Sequence, residues 1–302
     1  MGNNLDIIPT YACNLRCPFC FNKDNWDTKG LLDLNILKRE LANNPEIREL
    51  AVIGGEPSLL PDDYLKELID ICIKYLHGNK PDYYTNLTMI PDKHILDSIN
   101  LHVSYDPCDR TCQDKVLSNM LQLDTDFSIN MIITKKLITE YGVHKIIKLA
   151  NRFKKTLYLS KINVVTTNGI KHMQPTPDEI INFTIELSKY NNPYIRSSLL
   201  RVLNCTYTHN KPTAERFDYN VSINPNGRFQ TSGLHGIEKI YRDTYKECLK
   251  AYEEAFRTPK KCKQCRFNDY CIDEYRYGDD CTEDYKIMEA FERYEHEYLR
   301  NL

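Results

Sequence analysis

Residues 49–85 read ELAVIGGEPSLLPDDYLKELIDICIKYLHGNKPDYYT, which is one complete strand–helix–strand unit. The apolar run ELAVI predicts a buried strand, and DYYT predicts the next strand. Between them, apolar side chains recur at the i, i+3, i+4, i+7 spacing of a helix with one buried face. These residues are Leu65, Leu68, Ile69, Cys72, Ile73 and Leu76. Cys72 is therefore predicted to pack in the core as a small apolar side chain.

The same alternation continues on both sides of this unit. Further strands are predicted at LDIIPT, LHVSY, FSINMII and LYLSKINVV, and further helices at residues 31–43 and about 141–153. Together they make six strand–helix repeats, which predicts parallel strands joined by crossover helices. We therefore expect an α/β fold, a partial (β/α)6 TIM-like barrel, whose ligands bind at the C-terminal ends of the strands.

The regular alternation ends just before the NNP triplet at residues 191–193. We predict two domains, a core barrel over residues 1–190 and a smaller, irregular domain over residues 191–302. The second domain contains the turn signal NPNG at residues 224–227. A last helix, rich in Glu and Tyr, is predicted from about Asp284 onward.

The composition narrows the class of protein. Of the 302 residues 27% are charged, and the formal net charge is -2, so nothing global favours a nucleic-acid partner. No apolar run approaches the ~20 residues that cross a bilayer. The first residues, MGNNLDIIPT, lack the profile of a secretory signal. We therefore expect a soluble, cytoplasmic protein without a membrane partner.

A lysine-rich segment occupies residues 135–161, with seven lysines and Arg152 against the single acid Glu140. The interpretation that we favour is a solvated helix face. The alternative is a surface for a phosphate-bearing substrate, such as a modified nucleotide or a nucleic acid. Four arginines would suit phosphate as well; they are Arg196, Arg201, Arg216 and Arg228.

The twelve cysteines are unevenly distributed. Three lie in CNLRCPFC, residues 13–20, directly after the first predicted strand, and four lie within residues 262–281. Because disulfides are rare in a reducing compartment, this clustering indicates metal ligands. Four thiolates complete a zinc or iron–sulfur site, whereas three leave one metal position open to a ligand that the protein does not supply.

The spacing Cys13-x3-Cys17-x2-Cys20 resembles the cluster loop of the radical S-adenosylmethionine (radical SAM) superfamily. The resemblance implies that these cysteines bind three irons of a [4Fe-4S] cluster. It also implies that S-adenosylmethionine (SAM) chelates the fourth iron at the open site. The alternative interpretation is a zinc knuckle or thiols without a common role.

Other positions match the family at the predicted strand ends. GGEP, at residues 54–57, resembles the motif that contacts the methionine amino group, and glycine lets a backbone approach a ligand closely. TN at residues 85–86 and SYD at residues 104–106 resemble further motifs of this kind. The resemblance implies cosubstrate contacts from Phe19, Gly54, Gly55, Glu56, Pro57, Thr85, Asn86, Ser104, Asp106, Asn130 and Asn163.

Two more cysteines, Cys108 and Cys112, follow the fourth predicted strand. They therefore lie at the ligand end of the predicted barrel. One hypothesis gives them a catalytic role as hydrogen-atom donors to a substrate radical. The favoured interpretation is that they are ordinary loop thiols.

The C-terminal cysteines have the spacing Cys262-x2-Cys265-x5-Cys271, and Cys281 follows after nine residues. Four thiolates suit either tetrahedral zinc or a complete [4Fe-4S] cluster. The run resembles the SPASM and twitch extensions of radical SAM enzymes, which implies one auxiliary [4Fe-4S] cluster, with zinc as the alternative. Ser232 stands where the full SPASM pattern has a cysteine, which argues against a second auxiliary cluster.

The resemblance implies an enzyme that cleaves SAM reductively to a 5′-deoxyadenosyl radical and abstracts hydrogen from a substrate C–H bond. It implies a flavodoxin- or ferredoxin-type electron donor as a partner. The expected substrate is a peptide or a small molecule, and the first alternative is rearrangement of a modified nucleotide or a nucleic-acid base. The second alternative is a non-catalytic metal-binding module.

Overall fold

The computed structural model describes residues 4–26, 28, 30–162, 170–208, 221–231, 240–255, 264–267 and 282–299. Within these residues, ten strands form one mixed sheet. The strands are β1 (Asn4–Ile7), β2 (Glu49–Val52), β3 (Asp82–Thr85), β4 (Asn100–Ser104), β5 (Phe127–Ile133), β6 (Leu157–Lys161), β7 (Ile195–Ser197), β8 (Val221–Ile223), β9 (Phe229–Thr231) and β10 (Tyr241–Arg242).

Helices alternate with these strands over most of the described chain. They are α1 (Leu34–Asn43), α2 (Asp62–Tyr75), α3 (Lys93–Leu96), α4 (Gln113–Gln122), α5 (Gly142–Phe153), α6 (Pro177–Ser188), α7 (Ser198–Thr208), α8 (Tyr245–Ala255) and α9 (Thr282–Leu299). A π-helix, Leu137–Tyr141, directly precedes α5. None of the helices that the structure describes is both long enough and apolar enough to cross a membrane.

The sheet has the order β10-β9-β8-β1-β2-β3-β4-β5-β6-β7. The neighbours from β8 through β1 to β7 pair in parallel, and the pairs β8–β9 and β9–β10 are antiparallel. The predicted α/β fold with parallel strands is therefore confirmed. Among the described residues, β7 and β10 are the edges of the sheet, so the barrel is partial rather than closed.

The long, strongly periodic segments fold as the sequence predicts. Residues 82–85 and 127–133 form β3 and β5 with the predicted bounds. In α2, Leu65, Leu68 and Cys72 are buried against the sheet, as the helical spacing requires. Burial of apolar side chains of this size contributes about 1.5–3 kcal/mol each.

Element ends differ from the prediction where a polar side chain or a turn intervenes. The helix predicted from residue 31 begins at Leu34, because the Asp33 side chain caps it and accepts a hydrogen bond from the Asn35 backbone N–H at 2.8 Å. The strand predicted over residues 157–165 ends at Lys161, and its last residues lie outside the described chain.

Beyond residue 190 the described chain is more regular than predicted. β7 continues the parallel sheet beside β6, and β8 pairs with β1. These strands were not predicted because each has only three residues, too few for a periodic signal. The NPNG turn is confirmed between β8 and β9, where the Gly227 N–H donates to the Asn224 carbonyl at 2.9 Å. The domain boundary at residue 190 stays a prediction.

The two faces of the parallel sheet have different chemistry. One face packs on the helices through an apolar core that extends from β1 to α9, and α9 packs against α6 and α7. The other face carries polar side chains into a cavity; they include Asp6, Tyr84, Ser104, Asn130 and Ser160. The helices therefore hold the sheet, and the polar inner face is left for a ligand.

Candidate active site

The three N-terminal cysteines share one cavity. Cys13, Cys17 and Cys20 are free thiols in the loop that follows β1, and all three line a cavity of about 470 Å³. Local backbone contacts shape the loop. The Leu15 N–H donates to Cys13 Sγ at 3.4 Å, and the Cys20 N–H donates to the Cys17 carbonyl at 3.1 Å. The loop thus presents its sulfur atoms to the cavity.

The electrostatic environment of these thiols favours a cationic ligand. Burial raises the pKa of the Cys13 thiol and raises the pKa of the Cys17 thiol to about 11. The Arg110 guanidinium opposes the shift at Cys17. Because metals bind the thiolate and not the thiol, a bound metal would supply the charge that keeps these sulfurs deprotonated.

The three thiols match the number of protein ligands that a [4Fe-4S] cluster with one open iron needs. In a [4Fe-4S] cluster each thiolate binds a different iron, so the sulfurs surround a volume. Three neighbouring thiols on one cavity wall match that requirement. A cube held by Cys13, Cys17 and Cys20 would keep one iron without a ligand from this loop.

The GGEP segment is attached to the cysteine loop by backbone contacts. The Gly55 N–H donates to the Thr10 carbonyl at 2.9 Å, and the Glu56 N–H donates to the Ala12 carbonyl at 2.8 Å. A Cβ atom on Gly55 would lie 2.1 Å from the Ala12 carbonyl oxygen. The protein backbone therefore requires a glycine at Gly55, and the approach of this segment to a ligand stays a prediction.

Glu56 connects the ends of β2 and β3. Its side chain is 1% exposed, and its Oε1 accepts hydrogen bonds from the Ser58 hydroxyl and the Thr85 hydroxyl, both at 2.7 Å. Its Oε2 accepts from the Asn86 backbone N–H at 2.6 Å. Because a buried carboxylate needs several donors to replace water, these bonds fix the relative position of the two strand ends.

Asn86 extends the same network to the cysteine loop. Its Nδ2 donates to Asn14 Oδ1 at 2.8 Å and lies 3.9 Å from Cys13 Sγ. Its Oδ1 accepts from the Thr88 hydroxyl at 2.7 Å, and that hydroxyl accepts from Asn14 Nδ2 at 2.7 Å. The loop is thereby attached to the end of β3 as well as to GGEP.

Asp106 is bonded within the protein, and its contact with the cosubstrate stays a prediction. The carboxylate lies behind the cavity wall, where its Oδ1 accepts from the Ile132 N–H at 2.7 Å and its Oδ2 lies 2.5 Å from Arg110 Nε. Burial raises the pKa of Asp106, and the Arg110 charge opposes that shift. Arg110 itself lines the cavity, and its guanidinium carbon lies 5.3 Å from the centre of the Phe19 ring. The pair therefore presents a cation, not an anion, to the cavity.

Most predicted site residues come together at this cavity. The predicted residues that line it are Cys13, Cys17, Phe19, Cys20, Gly54, Gly55, Glu56, Thr85, Asn86, Ser104 and Asn130. Pro57, Asp106, Cys108 and Cys112 are described but do not belong to its lining. Asn163, Cys262, Cys271 and Cys281 lie outside the described residues, and Cys265 is partly buried against the core.

Sequence reasoning missed several polar residues that line the cavity; they are Asp6, Tyr84, Arg110, Lys161, Ser222 and Gln230. A signal was present for three of them, because Asp6, Ser222 and Gln230 are polar residues that alternate with apolar or β-branched residues in short strands. Period-2 alternation in a strand separates the two faces of the sheet. The Asn130 Nδ2 atom is buried without a hydrogen-bond partner among the described residues, which also favours a ligand here.

Comparison with known proteins identifies the family. Residues 7–183 match the family described as Radical SAM superfamily. A cysteine-type anaerobic sulfatase-maturating enzyme of Clostridium novyi is 35% identical over 82 residues, which are 24% of this chain and 22% of that protein. The chain matches less than a third of the length of the curated relatives.

Solved structures share the fold. anSMEcpe with bound AdoMet superposes with a TM-score of 0.72 at 18% identity, over 99% of this chain and 98% of that one. A second structure of it, with AdoMet and the Kp18Cys peptide, has a TM-score of 0.69 at 16% identity and covers 99% of both chains. Streptococcus suis SuiB bound to its precursor peptide SuiA has a TM-score of 0.68 at 16% identity, over 93% and 76%.

The contact between GGEP and the cysteine loop yields the first prediction. We expect Gly55→Ala to destabilise the fold by about 1–3 kcal/mol, because the added Cβ forces two backbone segments apart. The displaced loop should also bind less iron after anaerobic reconstitution. Urea unfolding and iron analysis measure the two effects.

The control is Gly142→Ala, since a Cβ there meets nothing within 4 Å and adds only the strain of a φ of +73°. Full iron content in Gly55→Ala, with a stability equal to that of the unmodified protein, would show that the close approach does not position the cysteines.

Proposed function

The chain belongs to the radical SAM superfamily and is an enzyme of that class, and we propose that it removes a hydrogen atom from a C–H bond of a peptide or a small molecule. The observation that carries this proposal is the set of three free thiols, Cys13, Cys17 and Cys20, on the wall of one cavity. When bound there, a [4Fe-4S] cluster and SAM supply reductive cleavage of SAM to a 5′-deoxyadenosyl radical, which abstracts the hydrogen.

The residues of this chain position and shield these groups. The three cysteines would hold the cluster, and the Glu56 and Asn86 network fixes the loop that carries them. The unpaired Nδ2 of Asn130 is a donor for the cosubstrate. Arg110 covers one face of the Phe19 ring and places a positive charge close to the thiolates. The apolar core around the sheet excludes water from behind the cavity wall.

A peptide is the substrate that we favour. Two proteins of the same fold were solved with peptides, anSMEcpe with Kp18Cys and SuiB with SuiA. The nucleotide alternative has less support, because only one of the seven lysines of residues 135–161, Lys161, lines the cavity. A flavodoxin- or ferredoxin-type protein would supply the electron. A reducing compartment such as the cytoplasm would keep the thiols free.

We further propose one auxiliary [4Fe-4S] cluster in the C-terminal region. The ligands would be Cys262, Cys265, Cys271 and Cys281, whose spacing suits four-thiolate ligation. Cys265 is partly buried and packs against the core, which would hold such a cluster close to the barrel. Zinc with the same ligands is the alternative. A cluster with four protein ligands has no open iron, so its role would be electron transfer or structural support.

The first test of the proposed function is alanine substitution in the cysteine loop. We expect Cys17→Ala to abolish the release of 5′-deoxyadenosine from SAM in the presence of dithionite, because the cluster loses one of its three ligands. Chromatography of the reaction products measures the release. Cys248→Ala is the control, since that thiol is buried in α8 and does not line the cavity. Continued release from Cys17→Ala would refute the cluster assignment.

The second test concerns the C-terminal cysteines. Cys271→Ala should lose about four irons per chain and keep the cluster of the cysteine loop, because the two sets of ligands are separate. Iron, sulfide and zinc analysis after anaerobic purification distinguishes the alternatives, with Cys17→Ala as the matched variant that loses the other cluster. Loss of zinc instead of iron from Cys271→Ala would contradict the auxiliary cluster.

A further inference from the structure

Three polar side chains form a row across neighbouring strands of the sheet. Asp6 on β1 is in register with Ser222 on β8, and Ser222 is in register with Gln230 on β9. All three line the cavity that the cysteine thiols also line. Because adjacent strands are about 4.8 Å apart, the row extends over about 10 Å of the cavity floor. We refer to Asp6, Ser222 and Gln230 as the polar row.

Within the part of the chain that the structure describes, the side chains of the polar row have no hydrogen-bond partner. Ser222 and Gln230 are each 4% exposed, yet neither side chain hydrogen-bonds to another described residue. The Asp6 carboxylate also accepts no hydrogen bond within the described chain. Because all three residues line the cavity, water or a ligand in the cavity can bond to their polar groups. The polar row can therefore bind a ligand that carries hydrogen-bonding groups.

The charge around Asp6 indicates that the ligand group bound by the polar row is a cation. Burial first, and then the negative charge of Asp82, raises the pKa of Asp6 to about 7. Ala51 lies between the two acids in the register of the sheet, and its small side chain leaves them in electrostatic contact. Among the described residues, no cation offsets this effect at Asp6. A positively charged ligand would relieve both the burial and the repulsion.

We propose that the polar row binds a primary ammonium group of the substrate. An ammonium has three N–H donors and no acceptor, and the row offers three acceptors, a carboxylate, a hydroxyl oxygen and a carboxamide oxygen. The charge of Asp6 selects the cation over a neutral group of the same size. The proposal rests on the proposed function and deepens it, because the bound amine would place the rest of the substrate beside the cluster. A lysine side chain of a peptide and a free small amine share this chemistry.

Binding of an ammonium at the row must depend on pH through Asp6. The titratable groups that act on Asp6 from the packed strands are Asp82 and Tyr84, both on β3; Asp82 is itself paired with His102 at 3.2 Å. The neighbours Ala51 and Ser222 carry no charge. Above its raised pKa, Asp6 is ionised and attracts the cation, and below it Asp6 is neutral. The affinity should therefore fall as the pH falls through 7.

The experiment uses the full-length, cluster-reconstituted enzyme with SAM present. The chain has one tryptophan, Trp26, which lines the same cavity, so its fluorescence reports ligands directly. The probes are n-butylamine and 1-butanol, which match in length and differ in charge. A second pair is a capped Gly-Lys-Gly tripeptide and its norleucine counterpart. The variants are Asp6→Asn and Gln230→Leu, and Asp126→Asn is the control because its side chain is 91% exposed.

At pH 8 we expect the dissociation constant of n-butylamine to be at least ~10-fold lower than that of 1-butanol. Between pH 8 and pH 6 the constant for the amine should rise roughly 10-fold, as a carboxyl with a pKa near 7 takes up its proton. Asp6→Asn should remove both effects, Gln230→Leu should weaken amine binding, and Asp126→Asn should change neither. If the lysine tripeptide binds more tightly than n-butylamine, the ammonium group of the natural substrate belongs to a peptide. Equal affinities of the two probes indicate a small amine as the substrate.

Equal binding of amine and alcohol, or a preference that survives Asp6→Asn, would overturn the proposal. Loss of SAM affinity in Asp6→Asn with unchanged amine binding would also overturn it, since the row would then belong to the cosubstrate. The proposed function is tested separately by 5′-deoxyadenosine release from the unmodified enzyme. If the unmodified enzyme binds the amine but does not cleave SAM, the ammonium site is supported and the proposed function is contradicted.

Discussion

The site depends on the close contact between two backbone segments, at Ala12 after β1 and at Gly55 after β2. No side chain fits between them, since a Cβ on Gly55 would lie 2.1 Å from the Ala12 carbonyl oxygen. The contact fixes the start of the cysteine loop, and Glu56, the next residue, fixes the end of β3 through buried hydrogen bonds. Three strand ends are thus combined into one rigid support for the thiols.

Charge is distributed unevenly around the cavity. Near the thiols, Arg110 contributes a cation that is paired with Asp106 behind the wall. On β1, Asp6 lines the same cavity, and no cation among the described residues offsets the burial and the Asp82 charge that raise its pKa. The negatively charged thiolates would therefore lie near the Arg110 cation, and a positively charged substrate group would lie near the Asp6 carboxylate. Such a division would orient a substrate with one end toward the cluster.

The sequence predicted the parts of the fold that rest on long, periodic segments. The spacing of Leu65, Leu68 and Cys72 is enough to place α2, since only one helix face can be buried. β8 has only three residues, and its place beside β1 follows from pairing across more than 200 residues, which no local pattern encodes. Local propensity therefore predicts elements, but not which distant strand completes the sheet.

The candidate site was predictable to a similar extent. The cysteine loop and GGEP carry recognisable motifs, and the structure brings them together on one cavity. For Asp106, the motif gives the position along the chain and not the partner that its side chain finds. Its partner, Arg110, is four residues away and captures the carboxylate in a buried ion pair. The sequence does not show whether Asp106 bonds to a protein side chain or to a ligand, because that choice depends on the folded structure.

The most direct test of the account is electron–nuclear double resonance of the reduced cluster in the Cys271→Ala protein, with SAM labelled in its amino nitrogen and carboxylate oxygens. We predict hyperfine coupling of both labels to the cluster, because one iron of a cube held by Cys13, Cys17 and Cys20 has no protein ligand. Absence of coupling, in a protein that contains a cluster ligated by a fourth side chain, would contradict the account.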